Sequence, residues 1–308
     1  MSTTSFSSWR LLIALLVIAG GIALLKAGIY GWTAFVLLPV ILGALAAWIF
    51  RPSTASRAAG LGALTVAAAT LSLLALGLDG LICIMMALPL TTPLGALGGL
   101  LVYHAESAMF GKPGLTMLLL LTPATVVYDA KAPSPVFEVR TAITVAATPE
   151  QVWKHVVSFS DLAEPREWFF HAGLAYPKRA RIEGSGPGAI RYCDFSTGPF
   201  VEPIEVWDEP RLLQFRVTKN PAPMEEWSPY AKVLPKHMHG YLVSKRGQFR
   251  LTRLANGETL LEGTTWYQHG LWPAQYWRWW SDAFIHRIHL RVLNHVRTLA
   301  EQDSGRSW

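Results

Sequence analysis

The sequence predicts a chain of two parts: an N-terminal all-α transmembrane bundle of four or five spans and a C-terminal α+β domain. Of its 308 residues, 51% are hydrophobic and only 16% are charged, and the mean hydropathy is +0.28. Soluble proteins carry about 25% charged residues. The deficit lies in residues 1–128, which hold five Lys or Arg and two acids, whereas the rest holds 22 basic and 19 acidic residues. This division excludes a wholly soluble chain, a disordered chain and a secreted disulfide-rich scaffold.

Four apolar segments predict membrane-spanning helices, because a helix needs about 20 apolar residues to cross about 30 Å of hydrocarbon. The first segment reaches that length if the Lys26 side chain extends towards the headgroups. A signal peptide at residues 1–25 is disfavoured, since no small-x-small cleavage site follows and further apolar segments come immediately. The Asp79-Gly80 pair predicts a tight turn between the last two spans. The four segments are 11–25, 27–50, 58–78 and 81–103.

A fifth apolar run, residues 115–128, leaves the position of the C-terminal domain open. Its 14 residues would extend only about 21 Å as a helix, and Pro123 interrupts it. It is either a short span or an interfacial segment. The excess of Lys and Arg on cytoplasmic loops predicts a cytoplasmic N-terminus in the cell (plasma or inner) membrane. The C-terminal domain is then cytoplasmic with four spans and outside with five. The inward-placed residues are Arg10, Arg51, Arg57 and Lys112.

The charge distribution limits the classes of partner that we expect, and the positions of the cysteines bear on a possible disulfide. The net charge of +6 divides equally between the two parts, and the densest basic cluster is only Lys178, Arg179 and Arg181. Nucleic-acid-binding surfaces carry longer basic runs, so we expect no nucleic-acid partner. Cys83 lies in an apolar run and Cys193 in a predicted strand. We therefore expect no disulfide between them.

The elements after the membrane part predict a single α+β domain. Residues 1–128 form the helical region, 129–135 a proline-rich linker, 136–302 the domain and 303–308 a tail. Alternation predicts a first strand at 137–145, and Thr148, Pro149 and Glu150 begin a helix. A second short helix is predicted at 161–173 and a long closing helix at 273–302. The remaining predicted strands are 176–184, 189–196, 200–207, 211–218, 240–254 and 258–269.

Three sequence segments and the closing helix carry a family resemblance. The segments are Ala147–Trp153 (ATPEQVW), Gly184–Gly188 (GSGPG) and Val206–Leu212 (VWDEPRL). With this order of elements, residues 136–302 resemble the SRPBCC superfamily, which includes START lipid-transfer domains and polyketide cyclases/dehydrases. The resemblance implies a helix-grip fold, in which a curved antiparallel sheet wraps the C-terminal helix around an apolar cavity for lipids, quinones or polyketides. It supplies no universal catalytic residue, and we assign none.

The closing helix carries the candidate polar residues. Asp282, His286 and His289 follow at i, i+4 and i+7 and share one face. Two imidazoles one turn apart suit acid–base chemistry or a metal, and Asp282 could orient His286. Because zinc sites need three or four protein ligands, a third would have to come from His237 or His239. We expect cavity-lining histidines, no metal ligands and no cofactor.

Aromatic residues surround the start of the same helix: Trp272, Tyr276, Trp277, Trp279 and Trp280. They predict either a membrane-interface anchor or cavity gate or ordinary packing against the sheet. We assign Tyr276 and Trp280, one turn apart, to the ligand site with the three polar residues. The proline-rich segment 221–236 is a candidate lid. The sequence thus predicts a protein that contacts membrane lipids and binds a hydrophobic small molecule (lipid, quinone or polyketide-like). The alternative is a cyclase or dehydratase acting in the same cavity.

Overall fold

The computed structural model describes residues 8–107, 113–230, 238, 240 and 242–305. The chain forms two compact units. Unit 1 comprises Met1–Pro133, Glu226–His237 and Gly270–Pro273, and unit 2 comprises Ser134–Glu225, Met238–His269 and Ala274–Trp308. The candidate lid 221–236 is therefore divided: from Glu226 onwards it belongs to unit 1, where the backbone N–H of Leu81 donates to the carbonyl of Trp227 at 3.1 Å. This bond ties Trp227 to the start of α4, and residues 231–236 lie outside the described residues, so the lid stays a prediction.

Unit 1 is helical. Its elements are α1 (Ser8–Ala27), a π-helical turn (Thr33–Leu37) that continues into α2 (Leu38–Phe50), α3 (Ala55–Ala75), α4 (Leu81–Ser107) and α5 (Pro113–Lys131). Three stretches are long and apolar enough to cross a membrane: Thr33–Phe50, Ala55–Ala75 and Leu81–Ala105. The first predicted span is an apolar helix of shorter length, Leu12–Ala27. Helix α5 extends through the first three residues of the predicted linker.

Small residues bring α2, α3 and α4 into close contact. A Cβ atom on Gly43 would lie 2.0 Å from the carbonyl oxygen of Gly95, and one on Gly98 would lie 2.0 Å from that of Val40. Side chains cannot occupy such positions, so glycine is required where these helices cross. Close backbone approach through small residues is the usual basis of helix association in lipid.

Unit 2 is a seven-stranded antiparallel sheet with three helices. Its sheet order is β1-β7-β6-β5-β4-β3-β2, and the long helix α8 closes the chain. This arrangement confirms the predicted helix-grip architecture. The elements are β1 (Val136–Val145), α6 (Pro149–Val157), α7 (Trp168–His171), β2 (Pro177–Glu183), β3 (Ile190–Phe195), β4 (Gly198–Asp208), β5 (Leu212–Arg216), β6 (Leu242–Arg253), β7 (Thr259–His269) and α8 (Ala274–Asp303).

The second helix of unit 2 is shorter than predicted. Only the single turn α7 forms within 161–173, because the preceding residues pair with the edge strand β2 instead. The backbone N–H of Phe159 donates to Ala180 at 3.0 Å, and that of Leu162 donates to Lys178 at 2.7 Å. These bonds satisfy the backbone of 159–162 in extended form and cover the open edge of the sheet. Helix α6 begins as predicted, with the Thr148 N–H donating to the Gln151 side chain at 3.0 Å.

The apolar core of unit 2 lies between the sheet and the C-terminal half of α8. Leu293, Val296 and Ala300 of α8 are fully buried, and they belong to one cluster with Val152 of α6 and Leu261 of β7. This half of the helix is packed like a protein interior. The N-terminal half of α8 carries no residue of that cluster, and hydrogen bonds join it to β1 and β7.

Candidate functional site

The polar face of α8 lies against β1 and β7. Alternation along β1 buries Phe137, Val139 and Thr141 on the side that faces the helix, since side chains of a strand point alternately to its two faces. In the antiparallel register, Phe137 is opposite Tyr267 and Val139 is opposite Thr265. Two threonines and a tyrosine are therefore presented to the helix at the positions where His286, His289 and Asp282 pass.

Thr141, Thr265, His286 and His289 form a continuous hydrogen-bonded chain, here called the histidine relay. The Thr141 hydroxyl oxygen lies 2.8 Å from Nδ1 of His286 and 3.1 Å from Nδ1 of His289. On the other side of the His289 ring, Nε2 lies 2.8 Å from the Thr265 hydroxyl oxygen. The structure thus joins the two predicted histidines through a threonine of β1. The sequence could not indicate this threonine, because it is 145 residues away from His286.

The relay has the geometry to pass a proton. A hydroxyl and a neutral imidazole each have a single polar hydrogen, so one arrangement of the chain has all three hydrogen bonds pointing in the same direction. A proton that enters at one end while another leaves at the other end would reverse all three bonds and leave every member neutral. His286 is exposed and Thr141 is buried. The relay therefore links solvent to the interior between α8 and the sheet.

His289 is held in its neutral form. Burial, and to a smaller extent the neighbouring His286, lowers the pKa of His289 to about 4. A buried imidazole resists protonation because the charged form loses its hydration. At neutral pH, His289 is consequently a neutral donor and acceptor, as the relay requires.

Asp282 has different partners from those predicted. Its Oδ1 accepts a hydrogen bond from the Tyr267 hydroxyl at 2.6 Å, and its Oδ2 accepts one from Nε of Arg278 at 3.1 Å. The Arg278 guanidinium also lies 5.1 Å from the centre of the Phe137 ring. Burial and the Asp282 carboxylate raise the pKa of Tyr267, which stays protonated. Asp282 thus orients Tyr267 and Arg278, whereas Nδ1 of His286, which Asp282 was expected to orient, lies against the Thr141 hydroxyl.

Trp280 and Tyr276 belong to another side of α8. Trp280 is two residues from Asp282, which places the two side chains about 200° apart around a helix of 3.6 residues per turn. Tyr276 lies one turn before Trp280, and its ring contacts Trp277 at 5.2 Å. The five predicted ligand-site residues are therefore divided into a polar group against the sheet and an aromatic group on the opposite side of the helix.

The aromatic group extends beyond α8. Ring centres 4.6–6.2 Å apart join α8 to α7 and the start of β2. We call this set the aromatic cluster; it comprises Trp168, Phe169, Phe170, Tyr176, Trp279, Trp280 and Phe284. Trp168 and Trp279 keep 56% and 64% of their surface exposed. Both rings therefore present apolar surface at the outside of the cluster.

A buried ion pair was missed by the sequence analysis. Arg191 of β3 and Glu202 of β4 are opposite each other in the register and form a salt bridge, and Arg191 is only 2% exposed. The Arg191 Nε also donates to the carbonyl of Val157 at 3.2 Å. Because every other position of β3 faces the interior, the strand pattern could have indicated a buried arginine. Its acidic partner could not be identified without the register.

Two cavities lie along the β2 edge of unit 2. One measures about 470 Å³ and is lined mainly by apolar atoms of Phe159, Ala180, Ile182 and Leu299. The other measures about 620 Å³ and is lined by charged residues that include Lys178 and Arg179. Both volumes fall in the range of small-molecule sites. Neither cavity contains a predicted ligand-site residue.

Among the described residues, a further set of ligand-type side chains comes together in unit 1. Asp79, Cys83 and Glu226 place their side-chain ligand atoms within 4.8 Å of one another. Cys83 and Cys193 are both buried thiols outside any disulfide. His237 and His239, considered as additional ligands for the histidine pair, lie outside the described residues. Asp79 is the one charged residue within residues 58–103. A single charge in a long apolar stretch is a sign of function, and the predicted turn alone did not account for it.

Comparison with known proteins identifies the type of the C-terminal domain. Residues 136–269 match the family described as polyketide cyclase / dehydrase and lipid transport. No curated protein matches the chain.

Similar solved structures share low identity with the chain. A protein from Nitrosospira multiformis is 16% identical over 55% of this chain and 100% of its own (TM-score 0.35). Truncated norcoclaurine synthase from Thalictrum flavum is 10% identical over 55% and 96% (TM-score 0.35). The di-domain ARO/CYC StfQ from the steffimycin biosynthetic pathway is 14% identical over 64% and 62% (TM-score 0.37). Over residues 136–269 the chain is therefore similar to the polyketide cyclase / dehydrase and lipid transport family, and the sheet and closing helix of unit 2 have the helix-grip fold.

Proposed function

We propose that unit 2 binds a hydrophobic small molecule (a lipid, a quinone or a polyketide-like compound) and that unit 1 anchors it in a membrane. The match of residues 136–269 to a family of cyclases, dehydrases and lipid-transport domains carries this proposal. The three apolar helices of unit 1 support membrane association.

The difference between the two halves of α8 supports a ligand site at the N-terminal half. The C-terminal half of the helix is fully packed, so a ligand would have to displace core side chains there. The N-terminal half offers exposed aromatic rings on one side and a polar network on the other. Each 100 Å² of apolar ligand surface covered by the aromatic cluster would contribute about 2.5 kcal/mol. The exposed His286 can then hydrogen-bond a polar head group.

Extraction of the purified protein tests the binding proposal. The full-length chain is purified in detergent and analysed by native mass spectrometry and by solvent extraction. We expect one hydrophobic molecule per chain, and we expect the Trp280→Ala variant to lose it. The matched control is Trp266→Ala, because Trp266 donates to Glu138 on the other face of the sheet. A wild-type protein that neither retains nor binds any member of a lipid and quinone panel would contradict the proposal.

The histidine relay favours a second candidate function, proton transfer to or from a bound hydrophobic substrate. Positioned acid–base groups contribute about 100- to 10,000-fold to a reaction rate. The variants His286→Gln and His289→Gln keep hydrogen-bonding groups but cannot carry the proton. With the extracted ligand as substrate, they should retain binding and lose at least about 100-fold in turnover. Unchanged turnover in both variants would eliminate the catalytic role.

We further propose five spans, with unit 2 outside the cytoplasm. Helix α5 has 19 residues, or about 28 Å of length. Its C-terminal end lies at the start of the π-helical turn: the Asp129 carboxylate accepts from the backbone N–H groups of Trp32 and Thr33 at 2.9 and 2.8 Å. The C-terminal end of α5 therefore lies at the end of the helical unit that carries Lys26, and Arg51 lies at the other end. The chain therefore enters unit 2 on the side away from most of the basic residues.

Two positions in the later segments of unit 1, which come after most of unit 2 in the sequence, agree with this topology. The Trp272 backbone N–H donates to the carbonyl of Tyr30 at 3.2 Å, and Glu226–Tyr230 adjoins the α3–α4 turn. Both positions are at the Lys26 end. A C-terminal alkaline phosphatase fusion should be active in a bacterial host, and the matching green fluorescent protein fusion should be dark. The reverse pattern would place unit 2 in the cytoplasm and refute five spans.

A further inference from the structure

The α3–α4 turn and the segment Glu226–Tyr230 hold three metal-binding side chains in one place. Asp79 precedes α4 and Cys83 follows it by four residues, in the first turn of the helix. A carboxylate oxygen from Asp79, one from Glu226 and the Cys83 sulfur lie within 4.8 Å of one another. All three residues belong to unit 1.

The Glu226 carboxylate is buried without a suitable partner. Glu226 is 0% exposed, and within the described residues neither of its oxygens makes a hydrogen bond of normal geometry; the polar groups beside it are the Cys83 thiol and the backbone N–H groups of Gly80 and Cys83. An unpaired buried carboxylate is costly, because it has lost its hydration. A cation bound between Asp79 and Glu226 would supply the missing partner.

The position of Glu226 is fixed by two features of the backbone. The Leu81 N–H donates to the carbonyl of Trp227 at 3.1 Å, which ties the segment to the start of α4. A Cβ atom on Gly80 would lie 1.7 Å from Oε2 of Glu226. The turn thus leaves space for this carboxylate only because residue 80 is a glycine.

We propose that Asp79, Cys83 and Glu226 bind a divalent metal ion of the zinc class. A thiolate with two carboxylates suits zinc, whereas magnesium and calcium prefer oxygen ligands alone. Ligands of a tetrahedral zinc ion lie about 3.5 Å apart, so small side-chain rotations close the site. Three protein ligands leave a fourth position for water. Binding releases the proton of the thiol, because a metal-bound cysteine is a thiolate.

Cobalt and zinc titrations of the full-length protein test this proposal. The chain is purified in detergent, stripped with a chelator and titrated with Co²⁺, which gives a thiolate-to-metal absorption band. We expect one ion per chain and a band that disappears in Cys83→Ser. The matched control is Cys193→Ser, which changes the other buried cysteine, in unit 2, and should keep the band.

Two further variants separate ligand loss from loss of position. Glu226→Gln removes a ligand and should weaken Zn²⁺ binding by at least about 100-fold, beyond the 10- to 100-fold cost of an indirect change. Gly80→Ala removes no ligand but displaces Glu226, and should weaken binding by about 10- to 100-fold. Helical circular dichroism and gel filtration of each metal-free variant show whether it is folded.

The wild-type protein decides the outcome even if a variant fails to fold. Zn²⁺ should raise the Tm of the stripped wild-type chain, and folded variants of the three ligands should show a smaller rise. A stripped wild-type chain that binds no Co²⁺, or binds it without the thiolate band, overturns the proposal. So does a band that persists in folded Cys83→Ser, or Zn²⁺ affinity that is equal in wild type and folded Glu226→Gln.

Discussion

Acid should destabilise unit 2 through His289. The pKa of His289 is about 4 in the folded protein against an ordinary value of 6.5, so the unfolded chain binds the proton more tightly. Its contribution to stability is complete above pH 6.5 and is lost as the pH falls towards 4. A difference of 2.5 pKa units corresponds to at most about 3 kcal/mol, at about 1.36 kcal/mol per unit. Partial solvent access to the ring reduces this figure.

Urea unfolding of the full-length chain in detergent measures the effect. The free energy of unfolding is compared at pH 7 and pH 4 for the wild type and for His289→Gln. Glutamine keeps hydrogen bonds to Thr141 and Thr265 but does not titrate, so the difference between the two proteins cancels the other ionisable groups. With a slope of about 2 kcal/mol per molar urea, the wild-type midpoint should fall by up to about 1.5 M more than that of the variant. Equal shifts in both proteins would refute a neutral His289 in the relay.

Three other substitutions give directional results in the same unfolding measurement or in detergent thermal denaturation. Tyr267→Phe removes the hydroxyl that donates to Asp282 and should cost about 1.5–3 kcal/mol; a loss below about 0.5 kcal/mol would show that this bond is not formed. Glu202→Leu leaves its arginine partner buried and unpaired and should cost about 3–5 kcal/mol, whereas replacing both partners by apolar residues should cost less. Gly98→Ala should lower the Tm of the helical unit, because its Cβ would lie 2.0 Å from a carbonyl oxygen of α2. The control Gly60→Ala meets no atom within 4 Å and should leave the Tm unchanged or raise it; equal effects would contradict the packing described.

Local sequence patterns were sufficient for most of the elements. Alternating apolar residues located β1, and the cap at Thr148 located the start of α6, because both depend on neighbours a few residues away. The length of α7 could not be predicted, since residues 159–162 are fixed by bonds to β2, which follows later in the chain.

The candidate sites depend on long-range contacts and were predicted less completely. The histidines of α8 share one face by periodicity alone, but Thr141 and Thr265 complete the relay only through the register of β1 and β7. The same periodicity places Trp280 away from Asp282, so the sequence already contained the reason to separate these two groups. The approach of Glu226 to Asp79 spans almost half of the chain, and no local pattern indicates it.

The interleaving of the two units has a consequence for biosynthesis. Unit 1 includes Glu226–His237 and Gly270–Pro273, which are translated long after its last helix. The bundle can therefore insert as soon as α5 has left the ribosome, but it acquires its final pieces only when residue 273 has been made. A nascent chain arrested at residue 133 would leave Asp79 and Cys83 without Glu226, and the turn that they form would be open to solvent until translation resumed. Unit 1 can therefore reach its final structure only after most of unit 2 has been synthesised.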